Sequence, residues 1–507
     1  MNRRMFLKLS GGFVFLTACT DEFTQTSTRK VSNFPIHLES NRNTGHLVRT
    51  AMELPISHVL HTETLIVGGG ISGLAAACSL PNHDFLLCEL NPDLGGTSGA
   101  IQINGDSYSQ GAHYDLAYPE NYGADGLQLL QDLEIITFNT KRGLWEFKDK
   151  QYLIDSKNEE ACYDNGKMRS SILANTELKK NFIELLAPYS NQFPLPSTLI
   201  NPELHHLDHI SFFDYLNKYL PVDQYFIEAI DYQMLDDYGG TSRQISALAG
   251  IHYYKCRPYY TGEKVELFSP PQGNYYFIDK MKQQIPASNI KNKHLVFGLK
   301  QTEKGWQTDV YDVESKTRKQ IVSDNIVYAG QKHPLKYIHP ESYAQFNDVT
   351  YAPWVIVTIE LKPEALTGSK WQNDFLSPNA AFLGFVDSQY QNQRSTHVLT
   401  AYYCFAEVNH HMVANMEENV DPIVHETIDN ISLYFKRDIS ELVKQVHVKL
   451  LGHAMPIPQK GYLTKERTLT HNQLSFAGVD TGRLPLMFDA MDSGIQAVKR
   501  LHLKGNS

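Results

Sequence analysis

The chain has 507 residues, a formal net charge of −10 and 42% hydrophobic residues. That length corresponds to about three domain-sized units, or to two domains built from interleaved segments, with apolar material enough for a large core. No basic cluster points to nucleic acid, the acidic balance leans mildly towards cationic small molecules, and no run beyond the N-terminus is apolar for long enough to span a bilayer.

Asn2-Arg3-Arg4-Met5-Phe6-Leu7-Lys8 reads as a twin-arginine export signature, followed by a short apolar stretch at residues 11–18. A bilayer span takes about 20 residues, so this stretch is the hydrophobic part of a signal peptide. Leu16-Thr17-Ala18-Cys19 matches a bacterial lipobox, whose cysteine is lipidated and becomes the mature N-terminus. A general secretory signal with a chance cysteine is the plain alternative. The expectation is export in folded form, a lipid on Cys19 and a membrane-anchored place in a bacterial envelope, on its periplasmic face. Lipid with more than one acyl chain gives stable anchoring. Residues 20–43 are rich in Ser, Thr and Asn without apolar periodicity. With the residues up to 60 they are expected to form a disordered tether.

The most informative stretch is residues 64–96. An apolar strand at 65–67 runs into Gly68-x-Gly70-x-x-Gly73, a helix of small residues follows, and a second apolar strand ends on Glu89. Gly68 permits the tight turn, Gly70 lets backbone approach a pyrophosphate, and Gly73 lets the helix pack closely on the strand. The helix N-terminus offers unpaired N–H groups to phosphate. Glu89 stands where an acid accepts hydrogen bonds from an unphosphorylated ribose. A lone glycine motif is weak, but strand, turn, helix, strand and acid in order point to a dinucleotide.

Residues 120–290 read as mainly helical, with apolar periodicity in 212–220 and 224–235 and Pro221 between them. Asp236 and Asp237 stand just before Gly239-Gly240, which marks a helix end. They could also attract a cation. Residues 291–345 contain two strand-like runs around a polar hairpin at Gly305, and 346–460 contain strands at 354–361, 397–405 and 446–451. Tyr351, Trp354, Tyr402 and Tyr403 are candidates for an aromatic cage facing a cationic substrate. His453 is a candidate proton-transfer group, because imidazole titrates near neutrality, against the plain reading of a loop histidine. Residues 461–507 hold a strand ending in Gly478-x-Asp480 and then a helix with a face of small residues, Ala490, Ser493, Gly494 and Ala497. Of the six cysteines none shows C-x-x-C spacing, so a disulfide is open and no metal site is expected. The adjacent pair His410-His411 points in different directions and makes a poor ligand set.

The two ends together resemble the FAD-binding halves of the flavin amine oxidase, protoporphyrinogen oxidase and phytoene desaturase superfamily. The likeness covers roughly the first 50 residues of the core and the last 30. It implies an α/β fold, a Rossmann-type FAD-binding domain assembled from 61–119, 291–345 and 461–507. The α+β substrate domain is inserted as 120–290 and 346–460. It implies that Gly95, Gly96, Thr97 and the run Gly111-Ala112-His113-Tyr114-Asp115 approach FAD, that backbone near Val296 meets the adenine, and that Gly478 and Asp480 lie at the ribityl–pyrophosphate region. Pro270-Pro271-Gln272-Gly273 resembles the turn that leads into a helix near the flavin. One departure stands out. Amine oxidases of this superfamily place a lysine on the first strand of the substrate sheet, and here that place is Trp354, with no lysine between Lys336 and Lys362. The resemblance implies hydride removal from a small organic substrate, an amine or polyamine slightly favoured, with oxygen or another acceptor taking the electrons. A desaturase or isomerase of a polyene-like substrate and a non-catalytic FAD-binding surface protein stay open. No second G-x-G-x-x-G follows a strand, so no separate nicotinamide site is expected.

Overall fold

In the computed structural model the described residues are 33–49, 54–113, 119–155, 160–174, 176–256, 266–363, 366–377, 381–390, 396–405 and 410–501. The chain divides into two units, Met1–Asn33 and Phe34–Ser507. Only Asn33 of the first is described, so the twin-arginine motif and the Cys19 lipobox lie outside the described residues, as do Tyr114 and Asp115. Among the described residues no helix is long and apolar enough to cross a membrane.

The second unit opens with strand β1 (Ile36–Glu39) and the short helix α1 (Arg42–His46), then β2 (Ile56–Val67), α2 (Ile71–Ser79) and β3 (Phe85–Cys88). The expected tether is therefore corrected over its described part. β1 pairs with a strand of the substrate sheet and β2 begins before residue 60, because even a polar edge segment gains ladder hydrogen bonds once a neighbouring strand offers them. The middle of the chain adds β4 (Glu160–Asp164), β5 (Lys167–Arg169) and helix α3 (Gln224–Tyr238). Next come β6 (Ile290–Lys291), β7 (His294–Thr302), β8 (Gly305–Asp312) and β9 (Thr317–Tyr328). The substrate-side strands are β10 (Tyr351–Leu361), β11 (Gln372–Leu376), β12 (Phe382–Asp387) and β13 (Val398–Cys404). Helix α4 (Asp421–Phe435), strand β14 (Val443–Pro456), strand β15 (Leu474–Phe476) and helix α5 (Met487–Lys499) complete the set used below.

These strands form two large sheets. The first runs β6-β3-β2-β9-β8-β7. β2 and β3 are parallel, as the crossover through α2 requires. β9 pairs with β2 along one edge, and its other edge is shared: the earlier part pairs with β8, and Ile326–Tyr328 pair in parallel with β15. That sharing brings the C-terminal segment beside the glycine turn. α5 then lies against α2 so closely that a Cβ on Gly494 would stand 2.1 Å from the Ser72 carbonyl oxygen. The small-residue face read from the sequence is this contact.

The second sheet runs β1-β14-β10-β13-β12-β11-β4-β5. One face packs on α4 through an apolar cluster that includes Val355, Val357, Leu399 and Tyr403. The other face, with Trp354, Ile356 and Tyr402, belongs to the core shared with the nucleotide-binding side. Every residue of β10 and β13 is buried, as expected for strands covered on both faces.

Candidate functional site

A cavity of about 740 Å³ lies between the sheets. One end is made by the glycine turn. Gly68 has φ +102°, a conformation that suits glycine. A Cβ on Gly73 would sit 1.9 Å from the Gly68 carbonyl oxygen, so only glycine lets α2 approach β2 this closely. At Gly70 the nearest atom to an added Cβ is 3.9 Å away, and at Gly96 it is 3.6 Å. Both contacts are ordinary ones, with the neighbouring glycine loop, and both positions line the cavity. The tight turn at Gly68 and the close helix approach at Gly73 agree with the sequence reading.

Glu89 closes the same end. Its Oε2 accepts from the Gly69 N–H at 2.7 Å and its Oε1 from the Asn91 N–H at 2.8 Å. Burial pushes its carboxyl above the usual range, and the backbone N–H groups of Asn91 and Gly69 oppose that shift. The loop with Gly95, Gly96 and Thr97 is tied to the turn by the Gly95 N–H on the Gly69 carbonyl at 2.9 Å. Val296 joins the lining from β7.

From the C-terminal segment, Gly478 adopts φ +125° and its N–H donates to Ser493 Oγ at 2.8 Å. Asp480 is buried and lines the cavity. Its Oδ1 receives Lys332 Nζ at 2.8 Å, and its Oδ2 receives the Tyr351 hydroxyl at 2.7 Å and the Lys332 N–H at 2.9 Å. Asp480 is held in one orientation by a buried ion pair, a pairing that isolated charges in a core require. Lys332 had no sequence signal, since a lysine after a strand end is ordinarily exposed. His453 also lines the cavity, with its ring stacked on His333 at 3.9 Å and edge-on to Tyr351 at 5.7 Å.

The opposite end is aromatic and acidic. Trp354, Trp371, Tyr232 and Tyr402 line it together with Asp236, Asp237 and Asp374. Asp236 and Asp237 fall in the last turn of α3, which Gly239 ends in a left-handed cap. They are therefore both a helix end and part of the cavity wall. Asp374 Oδ1 accepts from the Tyr232 hydroxyl and from Gln372 Nε2, each at 2.9 Å. Burial pushes its carboxyl up to about 6. Asp374, Tyr232 and Trp371 were not read from the sequence. The strand Gln372–Leu376 is mostly polar and gave no sign that Asp374 would be buried.

His113 hydrogen-bonds the Tyr402 hydroxyl through Nδ1. The Tyr402 O–H donates to the Gly111 carbonyl at 3.2 Å, so Nδ1 of His113 carries the proton and donates to Tyr402 oxygen. Burial pushes this imidazole down to about 3, which keeps it neutral. Tyr403 is a correction. Successive side chains on a strand point to opposite faces, and Tyr403 faces α4, where its hydroxyl lies 3.0 Å from Thr427 Oγ1. It is not a cavity residue. Trp354 does face the cavity, 6.3 Å from the Tyr402 ring centroid. Among the described residues no group of three or more His, Cys, Asp or Glu side chains could hold a metal.

The family profile of NAD(P)-binding Rossmann-like domains matches residues 66–125. No curated protein matches the sequence. Among solved structures, wild-type putrescine oxidase bound to putrescine is similar, with a TM-score of 0.60 and 15% identity over 87% of this chain and 99% of its own. Cyclohexylamine oxidase from Brevibacterium oxydans IH-35A gives 0.57 and 13% over 86% and 98%. An oxidoreductase from Methanosarcina mazei gives 0.58 and 13% over 86% and 99%. The chain carries a Rossmann-like dinucleotide-binding domain within a fold shared, nearly end to end, with these proteins.

Proposed function

We propose that the protein is an FAD-dependent oxidoreductase that removes a hydride from an amine, with polyamines included in the class. The observation that carries this reading is one cavity reaching from the glycine turn to the chamber of Asp236, Asp237, Asp374, Trp354 and Tyr402. The residues fit a dinucleotide: side-chain-free backbone at Gly70 and Gly96 in the cavity lining, an acid with two backbone donors at Glu89, and an oriented carboxylate at Asp480. Bound FAD supplies the hydride acceptor. The protein's part is to orient the amine, exclude water and hold charge. Ionised Asp374 and its acidic neighbours attract an ammonium, and aromatic faces favour the same charge. His113, kept neutral, fixes Tyr402 in the wall, and His453 is assigned the proton-transfer role on its place in the cavity. Electrons leave to oxygen or another acceptor.

Trp354 favours a second reading, a non-catalytic FAD-binding role, because it stands where the resemblance expects lysine. Anaerobic addition of a panel of amines, polyenes and nicotinamides to the purified yellow protein separates the two. Bleaching of the visible flavin band by an amine is the expected result. A colourless protein removes the flavin reading, and a band that no compound bleaches leaves the binding role. The Arg3-Arg4 and Cys19 motifs support a further proposal, twin-arginine export and lipid anchoring at the envelope. Radiolabelled palmitate on the wild type, and none on Cys19→Ala, is the outcome expected.

A further inference from the structure

We infer that residues 36–49 form a strap that closes the adenosine end of the cavity and holds the adenosine monophosphate half of the cofactor, the part that FMN lacks, an inference that rests on the FAD reading above. The strap begins on the substrate sheet, where β1 pairs in parallel with β14 from Ile36↔Val446 to Glu39↔Lys449. It ends on the other side. Val48 packs on the cluster that contains Val296, Leu335 and Ile338, which belongs to the nucleotide sheet. The crossing between these two anchors is made by α1.

Three polar links pin the crossing. Glu39 pairs with Lys449 at 3.0 Å, Asn41 Nδ2 donates to Asn91 Oδ1 at 2.8 Å, and Arg42 pairs with Glu417 at 3.1 Å. The middle link matters most for placement. Asn91 follows β3 and gives its own N–H to Glu89 at 2.8 Å, so the strap is tied to the acid expected at the ribose. Gly45 adds a close approach, since a Cβ there would stand 3.7 Å from Leu90 Cδ2. Asn91 and Leu90, which the strap meets here, directly follow β3 of the nucleotide sheet.

The face turned to the cavity is mixed in charge, with Glu39 and Glu417 beside three basic residues. Arg42, His46 and Arg49 all line it. Burial and then the charges of Arg49 and Arg42 hold His46 below its ordinary range, with Glu417 opposing. Arg49, with the paired Arg42 beside it, offers charged donors to a phosphate on the adenosine side. The strap therefore discriminates a dinucleotide from a mononucleotide flavin.

The test compares FAD with FMN, which lacks the adenosine half, on the full chain. Asn41→Ala/Arg42→Ala removes the links to Asn91 and Glu417, and Arg49→Ala removes a cavity cation. FAD release, followed by flavin fluorescence after dilution, should be on the order of tenfold faster in the double variant, since weakened complexes lose affinity mainly through dissociation. FMN binding should change little. Hydrogen exchange at residues 36–49 of the wild type should slow when FAD is added. Unchanged FAD release in both variants, an equal loss of FAD and FMN, or exchange in 36–49 indifferent to FAD each overturns the strap. A wild type that binds no FAD overturns the flavin reading itself, which separates the two failures.

Discussion

Gly70 and Gly73 belong to one motif yet respond to an added side chain for opposite reasons. Gly70→Val puts a side chain at the cavity lining without a clash, since an added Cβ meets its nearest atom, the Gly95 carbonyl oxygen, at an ordinary 3.9 Å. The protein should keep its melting temperature and lose FAD affinity by about tenfold or more, the effect of ~1.4 kcal/mol, measured by titration. Gly73→Ala drives a methyl into the Gly68 carbonyl at 1.9 Å. Overpacking of this kind costs roughly 1–3 kcal/mol or more, so the apoprotein itself should melt lower. Asp374 offers a pH test at the other end. Its carboxyl titrates at about 6, so the charge that attracts an ammonium is present above that pH and is lost as pH falls through it. KM for an amine should therefore rise between pH 7 and pH 5, and Asp374→Asn should have a high KM that no longer responds over that window.

At the level of elements, the contact between α2 and α5 is the joint that unites the two ends of the chain. Gly494 meets the Ser72 carbonyl, and Ser493 Oγ donates to the Ala490 carbonyl at 2.7 Å while accepting the Gly478 N–H at 2.8 Å. Gly494→Val should push α5 off α2 and carry the Gly478–Asp480 turn with it. The expected outcome is a lowered melting temperature together with weakened FAD binding, whereas a variant with normal FAD affinity would show that α5 does not position that turn. The strand β13 teaches a related lesson. Tyr402 and Tyr403 are adjacent and both buried, but the period-2 alternation sends one to the cavity and the other to α4.

For the molecule as a whole, the cavity is shared by both sheets, so its ligand should stabilise both at once. A ligand at 100 times its Kd adds about 2.7 kcal/mol to folding stability, and FAD should raise the melting transition accordingly, as one cooperative step. FMN should raise it less. If two transitions separate and only one moves with FAD, the sheets do not share the site. Cys78, Cys88 and Cys162 should react slowly with thiol reagents in the folded protein, because burial pushes their thiols up to about 12.

Sequence alone determined the strand, glycine turn and helix and the place of Glu89 after the second strand, because each is a local pattern in which spacing dictates backbone geometry, while the return of the Gly478-x-Asp480 turn was expected from the family resemblance. The sequence also placed the small face of α5. What only the tertiary structure decided was everything made by residues distant in the chain. Asp374 meets Tyr232, Lys332 pairs with Asp480, and a polar segment expected to be a tether becomes an edge strand and a wall of the cavity. Such contacts carry no local signature, since a side chain's burial and charge depend on what the fold sets against it, and those neighbours arrive only when the two sheets close.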